Sequence, residues 1–180
     1  MFSVRKAVLS DASFIAKVHV DSWRSTYRNL VREEDLAQEA SYEHRKVFWE
    51  TILKKHFHNQ ILYVAENDDN QVVGFVSGGE ERSKKFDYDG EIYAIYLLEE
   101  YQGLGIGKTL LNAFMEEAQR LGYQSILVWV LTLNPSSHFY QYLGAQPIEA
   151  EEITIGEGTY EETAYGWPNI NKKGLSSINL

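Results

Sequence analysis

Hydrophobic and polar residues alternate along 2–8, FSVRKAV, which predicts a strand. Ser10 can then cap a helix that starts at Asp11, with Ala12, Ile15, Ala16, His19 and Trp23 on one face. Over 22–31, SWRSTYRNLV, that period is lost, so the chain is expected to leave for a loop. A short helix is expected over 32–38. A longer one is expected over 41–57, with Val47, Phe48, Ile52 and Leu53 at core spacing. Residues 60–66 and 71–80 read as two strands joined by a turn at Asp68, Asp69, Asn70 and Gln71. The charged stretch 82–90 reads as a loop, and 91–98, EIYAIYLL, as a strong strand. A glycine-rich run leads into a helix reaching about Leu121. Ile106, Leu110, Phe114, Ala118 and Leu121 share one face, and Gly122 is placed to end it. Residues 124–131, QSILVWVL, are almost continuously apolar, as a strand covered on both faces would be. Asn134 and Pro135 suit the start of a short helix. Strands over about 147–155 and 159–167 close the pattern as a hairpin around Gly156, Glu157 and Gly158.

The order β-α-α-β-β-β-α-β-α-β-β predicts an α/β protein: a mixed sheet flanked by helices, built as one domain over 1–180. The strand at 91–98, the helix at 105–121 and the strand at 124–131 form a βαβ unit, for which a right-handed crossover is expected.

Composition narrows the partners. The chain has 17 basic and 26 acidic residues, a formal net charge of −9. Such a surface is repelled by nucleic acid and by anionic lipid, so neither is an expected partner. It suits a cationic substrate, although solubility alone explains it as well. The absence of cysteine excludes disulfides, thiolate zinc sites and a thiol nucleophile. The opening residues lack the apolar core of a signal peptide, and no apolar run reaches membrane-spanning length, so a cytoplasmic location is expected.

The candidate chemistry sits at 102–109, QGLGIGKT. A strand, a glycine turn and a helix start together make an anion site, because the first N–H groups of a helix have no partner within it. A nucleotide-hydrolase P-loop needs Gly-x-x-x-x-Gly-Lys-Ser/Thr. Gly107, Lys108 and Thr109 supply its tail, but Gln102 falls where the first glycine belongs. The dinucleotide pattern Gly-x-Gly-x-x-Gly puts Lys108 or Leu110 at its third glycine. A turn that uses glycine only for its geometry is the plain alternative.

Gln102-x-x-Gly105-x-Gly107 after an apolar strand resembles the acyl-CoA signature of the GCN5-related N-acetyltransferases (GNAT). The wider stretch EIYAIYLLEEYQGLGIGKTLL is similar to that family's fourth strand, pyrophosphate loop and third helix. The segment from Asn134 through Phe139 and Tyr140 to Leu143 and Gly144 also falls where the family has a counterpart. Glu99 departs from the pattern, since that place is often Pro, and it adds a negative charge near a site for a polyanion.

The resemblance implies an N-acetyltransferase that moves an acetyl group from acetyl-CoA to a primary amine. It implies direct attack, with no metal and no covalent enzyme intermediate. Backbone N–H groups of Gln102, Gly103, Leu104, Gly105, Ile106, Gly107 and Lys108 would cradle the pyrophosphate, with Thr109 beside it. Backbone groups of Tyr96, Leu97 and Leu98 would pair with the pantetheine arm, and the Leu97 N–H would polarise the thioester carbonyl. Asn134 would cap its helix and touch the arm. Tyr140 would be the general acid, and Glu91 the general base through water. Glu80 is the next candidate base, and a water chain without any single base is a third option. Trp23, Tyr27, Phe48, Trp49 and Trp167 are candidates either for the acceptor-pocket wall or for the core; beside acidic groups such a wall would suit a cationic amine, such as a polyamine or an amino-terminated peptide. His56 and His58 could form a metal pair, with a solvated helix end as the plainer reading. His138 is expected to be exposed and His19 half-buried. The last hairpin offers an edge through which two copies could form a homodimer. A catalytically silent acyl-CoA-binding sensor of the same fold is the rival function.

Overall fold

The computed structural model describes residues 2–39, 41–55 and 59–171. Its seven strands are β1 (Phe2–Lys6), β2 (Ile61–Asn67), β3 (Val72–Glu80), β4 (Gly90–Leu97), β5 (Ile126–Leu131), β6 (Gln146–Ile155) and β7 (Gly158–Trp167). They form one sheet in the order β1-β2-β3-β4-β5-β7-β6. Only β4 and β5 run parallel, joined through the helix α4 (Ile106–Arg120). The other helices are α1 (Ala12–Tyr27), α2 (Glu33–Glu39), α3 (Tyr42–Lys55) and α5 (Ser137–Tyr142). This is the mixed α/β architecture expected from the sequence. No helix among the described residues is long and apolar enough to cross a membrane. The metal pair considered at His56 and His58 lies outside the described residues.

Each face of the sheet carries its own core. On one side, Ile106, Leu110, Leu111 and Phe114 of α4 pack on Ile61, Val76, Ile92 and Val128 of the sheet. On the other, Ile15, Ala16 and Val18 of α1 and Trp49 of α3 cover Leu62, Val64 and Phe75. A third, smaller cluster joins Val31 and Leu36 to Leu131 and Ile155, with Trp23 and Tyr27 against it.

The helices differ from expectation in instructive ways. α1 does not stop near Ser22 but runs to Tyr27. Trp23, Tyr27, Leu30 and Val31 have helical spacing, but they face the third cluster rather than the second. The stripe changes partner, so its period looks broken in the sequence. Ser10 does not cap α1; it lies in a 3-10 turn over Leu9–Asp11. Asp11 stands at the start of α1 but makes no side-chain cap bond to it; its carboxylate accepts the Val8 N–H at 2.8 Å and the Arg5 guanidinium at 2.7 and 2.9 Å. In α3, Val47 is 63% exposed and Phe48 46%, whereas Trp49 is 2% exposed. One narrow stripe of Trp49, Ile52 and Leu53 meets the core. The Trp49 indole N–H donates to Nδ1 of His19 at 3.2 Å, which sets that helix's rotation. Leu121 lies past the end of α4 and is exposed, while Gly122 takes the left-handed φ of +91° that stops the helix.

Candidate active site

The site begins with a parting in the sheet. β4 and β5 pair only from Gly90↔Ile126 to Ile92↔Val128, although β4 continues to Leu97 and β5 to Leu131. The cause lies one strand away. Against β3 the register jumps from Ser77↔Ala94 to Gly78↔Ile92, leaving Tyr93 as an extra residue in β4. Such a bulge bends its strand and increases its twist, here away from β5.

Beyond the bulge, one edge of β4 loses its neighbour. The Leu98 N–H donates to the Val73 carbonyl on β3 at 2.9 Å. Successive strand residues turn their backbone groups to opposite edges, so Leu97 presents its own to the gap. There its carbonyl accepts the Gln102 side-chain amide at 3.2 Å. Of the three residues expected to pair with a ligand arm, Leu97 therefore faces the gap, with Ile95 by the same alternation. Tyr96 and Leu98 turn their backbones to β3, because that strand still binds them. Tyr96 reaches the site through its side chain instead.

At the open end lies the glycine loop. A 3-10 turn over Glu99–Tyr101 leads into Gln102, Gly103, Leu104 and Gly105, all exposed, as is Glu99. Gly103 and Gly105 hold φ of +73° and +80°, and nothing lies within 4 Å of where a Cβ would stand. Glycine is therefore required by conformation, and the space around it stays clear. The hydrogen-bond ladder of α4 starts with the Thr109 N–H donating to the Gly105 carbonyl at 3.1 Å. The N–H groups of Ile106, Gly107 and Lys108 precede it, at the positive end of a 15-residue helix. The Thr109 hydroxyl donates to the same Gly105 carbonyl at 3.2 Å. The Ile106 side chain is buried and pins this turn to the core.

On the far side of the gap stands α5. Asn134 is buried, and its Oδ1 accepts the Ser136 N–H at 2.9 Å. It thus closes a side-chain turn ahead of the helix, whose capping position is Ser136 rather than Asn134. Tyr140 is 5% exposed, its ring edge-on to Phe139 and Trp167. Burial, then the nearby Tyr27, push its phenol well above the usual tyrosine range. Tyr142 points away and is exposed, as is His138.

Tyr27 joins these parts. Its hydroxyl lies 3.4 Å from that of Tyr96. Burial raises both phenols, and Tyr140 adds to the effect on Tyr96. All three therefore stay protonated at neutral pH. Beneath them His19 stacks on Tyr96, ring centroids 5.0 Å apart. Burial, then Arg45, lower His19 to about 3. With Nδ1 accepting from Trp49, its one hydrogen sits on Nε2.

Of the aromatic wall candidates, Trp23 and Tyr27 sit beside the gap. Trp49 lies behind His19, and Phe48 lies on the outer side of Trp49. Trp167 packs behind Tyr140, donating its N–H to the Leu143 carbonyl at 2.9 Å. Core packing claims Trp49 and Trp167.

Acidic residues gather at the foot of the parting. Glu91 is only 2% exposed, so it is not a solvated strand end. The Arg82 side chain donates to both of its oxygens, and the Arg82 N–H adds a further bond at 3.1 Å. Glu80 is exposed and paired with Lys84 at 2.6 Å. Glu162 on β7 escaped the sequence reading. Burial, then Glu151 and Glu91, push its carboxyl up to about 7. Only the β5–β7 register brings it near, opposite Leu131 and three residues beyond the last β4–β5 pair, Ile92↔Val128. Among the described residues no group of three or more His, Cys, Asp or Glu could hold a metal ion.

Comparison with known proteins agrees with this geometry. The model of the Acetyltransferase (GNAT) family matches residues 21–145. YuaI of Bacillus subtilis (strain 168), described as an uncharacterized N-acetyltransferase, is 38% identical over 171 residues, covering 95% of each chain. Spermidine N(1)-acetyltransferase of Thermoplasma acidophilum is 24% identical over 148 residues, covering 81% of this chain and 88% of its own. Among solved structures, the PaiA N-acetyltransferase of Thermoplasma acidophilum in complex with coenzyme A superposes with a TM-score of 0.71 at 20% identity, over 93% of this chain and 99% of that one. YncA of Salmonella typhimurium, solved with its cofactor acetyl-CoA, gives 0.70 at 20% identity, over 96% and 95%. Parted strands, a glycine loop on a helix start and a family match across most of the length converge: the chain belongs to the GNAT family of acetyltransferases.

Proposed function

We propose that the chain transfers an acetyl group from acetyl-CoA to the primary amine of a small cationic acceptor, with Tyr140 as general acid. The carrying observation is the parting of β4 from β5 between the start of α4 and Tyr140. The glycine loop fits a diphosphate, since it leads into a helix start and nothing lies within 4 Å of where a Cβ would stand at Gly103 or Gly105. Gly103 to Lys108 would hold that group, with Thr109 at the rim; the Gln102 N–H is taken by the Glu99 carbonyl at 3.1 Å. The outward edge of Ile95 and Leu97 would take the pantetheine arm as a neighbouring strand takes its partner. Coenzyme A would supply the acetyl group as a thioester.

The residues then divide the work. The Leu97 N–H is aimed to stabilise charge on the thioester oxygen. Tyr140 keeps its proton at neutral pH and can give it to the departing thiolate. Asn134 keeps the turn before α5 in place and faces the arm. Glu91, fixed by Arg82, maintains a buried negative charge at the foot of the parting. With Glu162 and Glu151 it makes the acceptor side acidic, which favours an ammonium over a carboxylate. The name of the spermidine-acetylating relative supports this choice of class.

Thiol release from acetyl-CoA across polyamines, aminoglycosides, amino acids and peptides tests the reading. Cationic amines should be used best. Tyr140→Phe should lower kcat by about 10²-fold or more while coenzyme A affinity stays within a few-fold. A wild-type chain that binds coenzyme A and turns over no amine would be a sensor instead.

A further inference from the structure

We propose that Glu162 is the general base of this reaction, its carboxylate taking a proton from the acceptor's ammonium so that the amine can attack. The assignment rests on the acetyl-transfer reading above. Glu162 stands opposite Leu131, the last residue of β5. Directly opposed residues share a face of the sheet, so Glu162 lies with Leu131 on the side where Trp23 and Tyr27 pack. The other edge of β5 has already parted from β4 at this level. Tyr27 feels the charge of Glu162, and Tyr140 feels Tyr27. Glu162 in turn feels Glu91 at the foot of the parting. It therefore lies on the face that Trp23 and Tyr27 cover, beyond the last paired residues of β4 and β5.

The other carboxylates there are already engaged. Glu91 holds Arg82, Glu151 holds Lys85, and Glu80 holds Lys84. Among the described residues, the Glu162 carboxylate has neither a side-chain hydrogen bond nor an ion pair. The groups facing it are Glu151 from β6, Glu91 from β4, Arg82 and Lys85 from the segment after β3, and Tyr27 from α1. The two acidic neighbours and burial outweigh the two basic ones, which leaves the carboxyl at about 7. A base near the working pH combines a large ionised fraction with real proton affinity.

The protons balance without any further reactant. The ammonium gives one proton to Glu162, and the neutral nitrogen bonds to the thioester carbonyl carbon. The carbon–sulfur bond breaks, and the sulfur takes the Tyr140 proton. The nitrogen's surplus proton returns to the Tyr140 phenolate, with the Tyr27 hydroxyl alongside. Glu162 then releases its proton to solvent, one per turnover.

Rate–pH profiles of the wild type, Glu162→Gln and Glu162→Asp decide the matter, alongside carboxyl-carbon NMR of glutamate-labelled protein. In the wild type kcat should rise through an inflection near 7. Glu162→Gln should lose about 10²-fold at pH 7, lose that inflection and keep its coenzyme A affinity. Glu162→Asp should retain the inflection at a lower rate. One carboxyl resonance should titrate near 7 and vanish in Glu162→Gln. If Glu162→Gln keeps the wild-type rate and inflection, or the resonance titrates near the ordinary 4.5, the assignment is overturned while acetyl transfer stands. A wild type that turns over no amine overturns the acetyl-transfer reading and the base with it.

Discussion

His19 shows how one residue couples stability to pH here. It is buried, stacked on Tyr96, and accepts the Trp49 N–H. Its folded value of about 3 lies below the ordinary 6.5. Between those values the unfolded chain binds a proton that the folded one refuses, so stability falls as pH falls through this window. One such proton is worth about 1.4 kcal/mol per pH unit once the unfolded form is fully protonated. Denaturant unfolding of the wild type should therefore lose about 1.5 kcal/mol between pH 6.5 and pH 5 from this group alone. His19→Phe should lower stability at pH 7, since Trp49 is left without an acceptor, but should flatten the slope. An unchanged slope would mean that His19 is not the group refusing the proton. From sequence, its place beside Ile15 and Trp23 on a helix face predicted half-burial; the structure buries it more deeply, at 6% exposure. The stacking on Tyr96 was out of reach, since that partner is far along the chain.

Among the elements, α2 is the least self-sufficient. It is a short, acidic helix with a single buried apolar side chain, Leu36. Asp35 ties it down. The residue is buried, and its carboxylate accepts from Tyr160 at 2.6 Å, Arg32 at 2.8 Å and the Glu157 N–H at 2.8 Å. Gly156 and Gly158 let the β6–β7 turn come this close, because a Cβ at either would strike Asp35. The Tyr160 hydrogen bond first, then Arg32, lower the Asp35 carboxyl to about 2 from 3.8. Its stabilising effect is thus full above the ordinary value and is lost as pH falls through 2. Asp35→Ala should free the Glu157 amide, so its hydrogen exchange should quicken at least tenfold, with α2 following and α4 unaffected. Equal protection in the variant would show that the turn stands without α2. A short helix over 32–38 was expected from the sequence, and the structure has one over Glu33–Glu39. Its partner was not expected, because Asp35 and the hairpin are more than a hundred positions apart.

At the scale of the whole molecule, the order of elements and the strand positions were legible, since alternation and turn residues are local signals. So was the glycine loop, whose spacing follows from what a helix start and a left-handed turn require. The strand order was not fully legible: β7 rather than β6 lies against β5, and only that register brings Glu162 beside Tyr27. The parting of β4 and β5 was also hidden, for its origin is the misfit at Gly78. A Cβ there would collide with the Glu91 carbonyl and lie 2.5 Å from the Phe114 ring. Phe114 is locked in the core beneath α4, so β4 would have to yield. Moving Glu91 disturbs the register jump at Tyr93, and with it the edge that Leu97 presents. Gly78→Ala should therefore destabilise the fold by about 1–3 kcal/mol and weaken coenzyme A binding, although residue 78 touches neither the glycine loop nor α5. Thermal denaturation and calorimetric titration with coenzyme A would read both effects. A destabilised variant with undiminished affinity would show that the gap opens for a reason other than the bulge.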